Sequence, residues 1–347
     1  MSEPGTGPRT SSQVVDDLVD VVLGSPRRLR RDEVAHRAGV PLDDARRLWR
    51  AMGFADVGDA VAFTDEDVDA LRLLGTLLDR GVLDPSTGVD VARSLGQTMS
   101  RLADWQTDTF GRLLVERGVI DRADPLSNAS AARLFRELEV LLPALERLLV
   151  HGWRRQLAAA LERGLGDAEQ SGEVETGHLS VGFADQVGFT RLARRMEEAE
   201  LAALVERFES RSSDVVATHG GRVIKTLGDE IFFVAPTPEA AAEVSLHLLS
   251  EHEKDDTIPR LRIGLATGTV VTRRGDVFGT TVNLASRLTA LARPDSVLVD
   301  DVTAAGLMPE ALGVDVRDEL APYVLTALPA RAVRGLGTVR PVVLRRG

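Results

Sequence analysis

The sequence predicts an α+β protein in which an all-α N-terminal domain precedes a C-terminal domain of mixed strands and helices. Apolar residues recur at helical spacing almost throughout residues 14–166. Beyond residue 178, short apolar runs typical of buried strands alternate with helical segments. Their order is strand, helix, hairpin, helix, strand, which is the split βαβ arrangement of a ferredoxin-like domain.

Changes in composition divide the chain into four segments. Residues 1–12 are polar and rich in proline and glycine, so we expect a disordered tail. Residues 13–163 form the helical domain, and the small, polar residues 164–177 form a linker. Residues 178–347 form the C-terminal domain.

The composition indicates a cytoplasmic, soluble protein. The chain has 347 residues, enough for about two domains. Its net charge of −11 argues against a general nucleic-acid binder. The absence of cysteine excludes disulfides, zinc–thiolate sites and a thiol nucleophile. Neither a signal peptide nor an apolar run of about 18 residues is present, so no membrane attachment is expected.

Helix signals recur through the N-terminal domain. Residues 43–52 and 65–74 begin with acidic residues and continue with apolar residues at helical spacing. A longer helix is predicted from about residue 127 to 161, with a kink at Pro143. Residues 31–54 are similar to a helix-turn-helix, with Gly39 in the turn.

The C-terminal domain is predicted to contain four strands in its split βαβ core, three helices and one further strand. The predicted strands cover residues 178–184, 220–226, 230–235, 261–271 and 296–299, and the predicted helices include residues 201–216, 238–253 and 281–291.

Two carboxylates are placed together by this order of elements. Asp185 ends the first strand, and Asp229 lies in the turn that opens the second hairpin strand. Since these two strands are expected to be antiparallel neighbours, both residues lie at one edge of the sheet. Paired carboxylates completed by substrate phosphates suit Mg²⁺, and two such ions can activate an attacking oxygen and stabilise a leaving one.

Groups suited to a nucleotide accompany the carboxylates. Residues 187–190 turn the chain from strand to helix, so the backbone N–H groups of Phe189 and Thr190 can face a polyphosphate. Asn283 and Arg287 lie four residues apart on one helix face. An arginine there can stabilise charge on phosphorus, and an asparagine can orient a sugar.

A lysine and an aspartate supply a hydrogen-bond donor and an acceptor. Lys225 is one of only two lysines, the other being Lys254, in a chain whose remaining fixed cations are all arginine. Its retention suggests a task for a compact donor in a confined pocket. Together, Lys225 and Asp276 complement adenine, which presents an acceptor at N1 and a donor at its amino group.

These motifs identify a family resemblance. Residues 183–190 (FADQVGFT), 225–230 (KTLGDE) and 276–287 (DVFGTTVNLASR) resemble the catalytic domain of a class III nucleotide cyclase, specifically an adenylate cyclase. The resemblance covers residues 178–347, and residues 334–344 are similar to the family's closing strands. The departure is Gln186, where the family usually has an apolar residue.

The resemblance implies a role for each motif residue. Asp185 and Asp229 would hold two Mg²⁺ or Mn²⁺ ions, and Lys225 with Asp276 would select adenine. Asn283 would orient the ribose of ATP, and Arg287 would stabilise the pentavalent phosphorus.

The resemblance also implies a homodimer. In the family, the metal aspartates come from one protomer and the other four residues from its partner. This chain carries all six, so we expect a two-fold homodimer with two equivalent sites and an inactive monomer.

Other nucleotide enzymes fit less well. A guanylate cyclase would carry an acidic residue in place of Lys225 and a small residue or cysteine in place of Asp276. Glu230 completes a Gly-Asp-Glu run, but the second glycine and the phenylalanine of a diguanylate cyclase signature are absent, as is a P-loop.

The alternative from a different class is a catalytically degenerate cyclase homologue that acts as a DNA-binding or partner-binding regulator. Residues 27–50 hold eight arginines around the helix-turn-helix-like segment. Against DNA binding, Asp43 and Asp44 open the would-be recognition helix, where they would face phosphates or base edges.

The helical half resembles the N-terminal regulatory domain of actinobacterial adenylate cyclases. In that subgroup the regulatory half can hold the catalytic halves apart, and some members respond to acidic pH. His36 and His151 are the candidate titrating groups, since histidine changes charge between pH 5 and 8. The sequence leaves open the signal, the preferred metal, the resting activity and whether a small apolar ligand binds the helical domain.

Overall fold

The computed structural model describes residues 10–121, 127–171, 176–254, 259–273, 275–308, 322–333 and 335–347, without the side chains of residues 163–171. The chain divides into two compact units, Met1–Ala159 and Ala160–Gly347. We describe each unit by itself.

The N-terminal unit is helical, as predicted. Its helices are α1 (Ser11–Leu23), α2 (Arg31–Ala38), α3 (Leu42–Ala51), α4 (Asp65–Asp79), α5 (Pro85–Glu116) and α6 (Asn128–Ser171), which extends into the second unit. Local sequence signals set the helix ends. Thr10 and Thr64 form capping boxes at α1 and α4, and the Asp84 side chain caps α5 ahead of Pro85.

Helices α2 and α3 occupy most of the segment 31–54 that the sequence likens to a helix-turn-helix. Gly39 ends α2 with a φ of 73°, a conformation that glycine adopts without steric penalty. The core beneath these helices includes Trp49, whose ring centroid lies 4.8 Å from that of Phe63. An isolated antiparallel bridge joins Leu29, just before α2, to Phe63, just before α4.

Most of the eight arginines in residues 27–50 are already paired with carboxylates of the same unit. The aspartate partners belong to α1, α3, α4 and the segment between α3 and α4, and the pairs are Arg27 with Asp16 and Asp20, Arg28 and Arg37 with Asp65, Arg31 with Asp56 and Asp59, Arg46 with Asp43, and Arg47 with Asp44. This internal neutralisation weakens the positive field on which DNA affinity depends.

Two predicted boundaries differ from the structure. Residues 1–9 of the predicted tail lie outside the described residues, and α1 begins at Ser11 because Thr10 caps it. Helix α6 passes through Pro143 and continues to Ser171, so the first part of the predicted linker 164–177 is helical. Residues 172–175 lie outside the described residues, and the first strand begins at Thr176.

The strands of the C-terminal unit are β1 (Thr176–Gln186), β2 (Arg222–Thr226), β3 (Glu230–Ala235), β4 (Leu261–Arg273), β5 (Asp276–Phe278), β6 (Ser296–Val299), β7 (Tyr323–Ala327), β8 (Arg331–Val333), β9 (Gly337–Val339) and β10 (Val342–Arg346). Its helices are α7 (Phe189–Ala193), α8 (Glu198–Thr218), α9 (Pro238–Glu253), α10 (Thr280–Leu291) and α11 (Asp301–Gly306).

The main sheet has the order β2-β3-β1-β4-β6-β10-β7, with β5 paired to β4. Strand β1 lies between β3 and β4 and is antiparallel to both, while β4 and β6 are parallel. The predicted pairing of the first strand with the second hairpin strand is therefore correct. Strands β8 and β9 form a separate two-stranded sheet.

The helices pack against the sheet through two clusters of buried apolar residues. Helices α8, α9 and α11 contribute Phe208, Leu248 and Ala304 to one cluster of buried residues. Helix α10 contributes Ala285 to a second cluster. Close approach of α10 to the sheet depends on Gly264 of β4, where an added Cβ would lie 2.2 Å from the backbone nitrogen of Thr289.

Among the described helices, none is both long and apolar enough to cross a membrane.

Candidate active site

The candidate site begins at the carboxyl end of β1, where three charged residues lie side by side across three strands. Asp185 pairs in register with Glu230 of β3 on one side and with Arg262 of β4 on the other. Directly opposed residues of antiparallel strands project to the same face of a sheet. Glu230, Asp185 and Arg262 therefore form one row, which we call the cross-strand row.

Arg262 and Asp185 form an ion pair within this row. The guanidinium Nε donates to Oδ2 of Asp185 across 2.5 Å. Burial raises the pKa of Asp185, the hydrogen bond and charge of Arg262 counteract this effect, and the nearby Asp229 charge adds to the rise. A cation that binds Asp185 must therefore compete with Arg262.

Asp229 lies in the turn between β2 and β3, where Gly228 adopts a φ of 72°. Its carbonyl oxygen accepts the backbone N–H of Gln186 across 2.9 Å, which ties this turn to the end of β1. The structure thus places Asp185 and Asp229 at the same edge of the sheet.

Glu230 adds a third carboxylate to this edge. Burial, together with the charges of Asp185 and Asp229, raises the pKa of Glu230 to about 7. Its side chain makes no hydrogen bond or ion pair with any other residue that the structure describes.

Lys225 and Asp276 form a second group at β2 and β5. Lys225 Nζ lies 2.8 Å from Asp276 Oδ2 and 5.6 Å from the ring centroid of Phe232. Burial acts to raise the pKa of Asp276, but the hydrogen bonds from Lys225 and from the Val277 N–H, with the lysine charge, lower it overall. The donor and the acceptor are thus adjacent.

Residues 187–190 form the expected turn into a helix. Gly188 has a φ of 81° and caps α7, which begins at Phe189, and the Thr190 side chain is exposed. Helix α7 is a single short turn, so its first N–H groups have no partner within the helix.

Asn283 and Arg287 form a third group on α10. Both side chains are exposed, whereas the opposite side of α10 buries Thr281, Ala285 and Leu288 against the sheet. Neither residue makes a hydrogen bond or an ion pair with the aspartates or with Lys225 and Asp276 in the described part of the chain. Within one chain, the assigned residues therefore fall into three groups that share no hydrogen bond or ion pair among the described residues: the aspartate pair, Lys225 with Asp276, and Asn283 with Arg287.

Sequence reasoning did not identify the cross-strand row. The sequence draws attention to Glu230 only through the Gly-Asp-Glu run, and it gives no signal for Arg262. Both lie opposite Asp185 in strand register, a relationship that the positions of the residues along the chain do not reveal.

Gln186 departs from the family pattern and is 1% exposed. Both polar atoms of its side-chain amide lack a hydrogen-bond partner among the described residues, whereas its backbone N–H binds the Asp229 carbonyl. Its backbone therefore links the end of β1 to the turn that carries Asp229.

The donor set at this edge suits an ion that keeps open positions. No cluster of three or more His, Cys, Asp or Glu side chains that could enclose a metal occurs among the described residues. Mg²⁺ is commonly held by one or two carboxylates, with substrate phosphates and water as its other ligands. Asp185 and Asp229 match this requirement.

Comparison with known proteins agrees with this architecture. Residues 173–322 match the family model for the adenylate and guanylate cyclase catalytic domain. An adenylate cyclase of Streptomyces coelicolor is 46% identical over 95% of this chain and 89% of its own length. A pH-sensitive adenylate cyclase of Mycobacterium tuberculosis is 32% identical over 91% of this chain and 77% of its own length.

The crystal structure of the catalytic core of a rhodopsin-guanylyl cyclase of converted specificity, bound to ATPαS, aligns with a TM-score of 0.43 at 21% identity. The alignment covers 50% of this chain and 96% of the rhodopsin-guanylyl cyclase core. From the family model and the full-length relatives, the fold and site define a class III nucleotide cyclase. Within that class, the chain belongs to the adenylate cyclases. The predicted family and fold class are thereby confirmed.

Proposed function

We propose that this protein converts ATP to 3′,5′-cyclic AMP and pyrophosphate at sites formed between two copies of the chain. The observation that carries the substrate assignment is the 2.8 Å contact between Lys225 Nζ and Asp276 Oδ2, which sets a donor beside an acceptor. Adenine presents a complementary acceptor and donor along one edge. A polar site that lacks its matching partners rejects the wrong substrate strongly, so this pair favours adenine over guanine.

Each of the remaining residues has a role in positioning ATP. We assign Asn283 to the ribose and Arg287 to the charge that develops on the α-phosphorus during in-line attack by the 3′-oxygen. The N–H groups of Phe189 and Thr190 are assigned to the polyphosphate. Correct placement of the reacting atoms supplies much of the rate acceleration in such reactions.

Asp185 and Asp229 are assigned to two Mg²⁺ or Mn²⁺ ions. When bound, these ions would lower the pKa of the ribose 3′-hydroxyl and neutralise charge on the triphosphate. In the protein, Asp185 would separate from Arg262 when a cation binds. This separation would free Oδ2, which accepts the Arg262 N–H in the structure.

The homodimer follows from the family resemblance, in which the metal aspartates come from one protomer and the other four residues from its partner. Asn283 and Arg287 make no hydrogen bond or ion pair with the aspartate pair among the described residues, as that arrangement requires. In a two-fold dimer this exchange is reciprocal and generates two equivalent sites.

We further propose that the helical unit regulates this reaction and that the protein acts in the cytoplasm, where ATP is available. The similarity to a pH-sensitive relative extends through the helical half, which supports regulation by pH. A DNA-binding role is disfavoured by the internal pairing of the arginines near α2 and α3.

The test is cyclic nucleotide formation by the full-length protein with ATP or GTP, in Mg²⁺ or Mn²⁺. We expect cyclic AMP from ATP, and its loss in Asp229→Ala. Absence of product with either nucleotide and either metal, from a folded dimer, would favour the degenerate-homologue alternative.

A further inference from the structure

The cross-strand row has an imbalance of charge that the two assigned metal residues do not explain. Arg262 neutralises Asp185 through the 2.5 Å hydrogen bond. The assigned pair of carboxylates therefore retains a net charge of about −1 in the absence of metal, since only Asp229 is left uncompensated. In the absence of nucleotide phosphates, a divalent cation gains little from such a site unless another negative charge is near.

Glu230 supplies that negative charge. It lies opposite Asp185 in the register of β1 and β3, and directly follows Asp229 in the chain. No described residue pairs with its carboxylate. Glu230, Asp185 and Arg262 share the cross-strand row, and the Asp229 carbonyl accepts the Gln186 N–H at the end of β1, so the four charged groups lie at one edge of the sheet and form one electrostatic unit. Ionised Glu230 brings the net charge of this unit to about −2, which matches one divalent cation.

We propose that Glu230 is a positioning residue of the metal site, which offsets the charge of Arg262 and thereby allows divalent cations to bind Asp185 and Asp229. This inference rests on the proposed function. Glu230 acts through its charge and not as a ligand, in keeping with the absence of a three-residue metal cluster among the described residues. Arg262 opposes Glu230, because its positive charge lies 2.5 Å from Oδ2 of Asp185 and repels a bound cation.

The test is Mn²⁺ binding to the full-length protein at about pH 8, followed by electron paramagnetic resonance with and without saturating 3′-deoxy-ATP, which lacks the attacking hydroxyl. Glu230→Gln is expected to raise the dissociation constant for Mn²⁺ about tenfold, as for residues that support metal ligands. Glu239→Gln removes the same charge at an exposed position in the first turn of α9 and serves as the matched control, with no change expected.

The charge argument also predicts a rescue. Arg262→Gln removes the opposing cation, so nucleotide-free protein should bind Mn²⁺ more tightly, and Glu230→Gln combined with Arg262→Gln should bind it as the unmodified protein does. A role for Glu230 in packing alone would not be rescued by a change in Arg262. In EDTA, Glu230→Gln should also melt at or above the temperature of the unmodified protein, since like-charge repulsion is relieved.

The outcomes separate this inference from the proposed function. If Asp229→Ala weakens Mn²⁺ binding but Glu230→Gln and Glu239→Gln both leave it unchanged, the role of Glu230 is wrong and the metal assignment stands. If Asp229→Ala binds Mn²⁺ as tightly as the unmodified protein, the metal assignment itself is wrong. If Glu230→Gln fails to fold, Glu230→Asp, which keeps the charge, must bind Mn²⁺ within a few-fold of the unmodified protein; a tenfold loss there would contradict a role based on charge.

Discussion

Lys225 and Asp276 lie 51 residues apart in sequence, and the structure joins them by a hydrogen bond of 2.8 Å between Nζ and Oδ2. The bond links β2, at one end of the strand order, to β5, which pairs with β4. The pair to which we assign selection of the base is thus assembled within one chain. Under this proposal, ATP exchanges the contact for hydrogen bonds to adenine.

The first prediction concerns the choice of base. Lys225→Ala should lower kcat/KM for ATP about 10–100-fold, because a charged hydrogen bond is worth about 1.5–3 kcal/mol. Lys225→Glu combined with Asp276→Ser should favour GTP over ATP. The measurement is kcat/KM for both nucleotides. Lys254→Glu, at the other lysine of the chain, is the control, and an equal loss there would refute the assignment.

The second prediction concerns the dimer. Asp229→Ala and Arg287→Ala should each be inactive, but a mixture should recover activity, since a mixed dimer holds one site with both residues intact. Random exchange in an equimolar mixture makes half of the dimers mixed, which gives about a quarter of the unmodified activity. The measurement is cyclic AMP formation after the two proteins exchange subunits. A silent mixture, with exchange shown by a labelled subunit, would mean that each site lies within one chain.

The third prediction concerns the position of α10. Gly264→Ala places a Cβ 2.2 Å from the Thr289 nitrogen and 2.5 Å from the Ala285 oxygen. We expect a loss of about 1–3 kcal/mol in the free energy of unfolding. Displacement of Asn283 and Arg287 should reduce kcat about a hundredfold. Urea unfolding and steady-state kinetics measure the two effects.

A second glycine provides the control for this change. Gly152 lies on α6 with nothing within 4 Å of an added Cβ. Gly152→Ala should be neutral or stabilise the helix by up to about 1 kcal/mol. Equal destabilisation by both substitutions would contradict the packing argument.

The fourth prediction concerns stability at acidic pH. Burial acts to raise the pKa of Glu243, but hydrogen bonds from Arg346 and Tyr323 lower it below its ordinary value of 4.5. A lowered folded-state pKa stabilises the protein above the unfolded pKa, and the stabilisation is lost as the pH falls through the folded value. The free energy of unfolding should therefore fall more steeply below about pH 4.5 in the unmodified protein than in Glu243→Gln.

Urea unfolding from about pH 3.5 to 6.5 would measure this difference. Arg346→Ala should cost about 0.5–1 kcal/mol at neutral pH, because its side chain is largely exposed. Parallel pH profiles for the unmodified protein and Glu243→Gln would contradict the argument.

The fifth prediction concerns regulation by pH. If the helical unit senses pH, the full-length chain and residues 173–347 should differ in the pH dependence of their specific activity. His36 and His151 are both exposed, and His36→Gln with His151→Gln should reduce the difference. An identical profile for the two lengths would refute regulation by the helical unit.

A histidine pair in the catalytic unit supplies the comparison for this test. His219 Nε2 and His247 Nδ1 lie 3.0 Å apart and share one hydrogen bond, which protonation of both rings would break. If the pH response persists in residues 173–347, His219→Asn should alter it. Sequence reasoning nominated only the two histidines of the helical half.

Many of the elements were predictable from the sequence because their signals are local. Asp84 before Pro85 fixed the start of α5, Gly39 fixed the end of α2, and the bounds of α9 are those predicted. The extent of α6 was not predicted, since polar, glycine-containing residues before Ser171 were interpreted as a linker. Glycine costs a helix only about 1 kcal/mol, and the other residues of the helix can offset that cost.

The sequence by itself determined the family, the order of the first three strands and the helices between them, and the spaced residues to which we assign roles at the site. Only the tertiary structure showed that Arg262 and Glu230 flank Asp185 and that the arginines near Gly39 are paired with aspartates. The physical reason is the distance along the chain over which each kind of interaction acts. Caps and periodicity act over a few residues, whereas a neighbour across a sheet is set by strand register, which the packing of the whole domain decides.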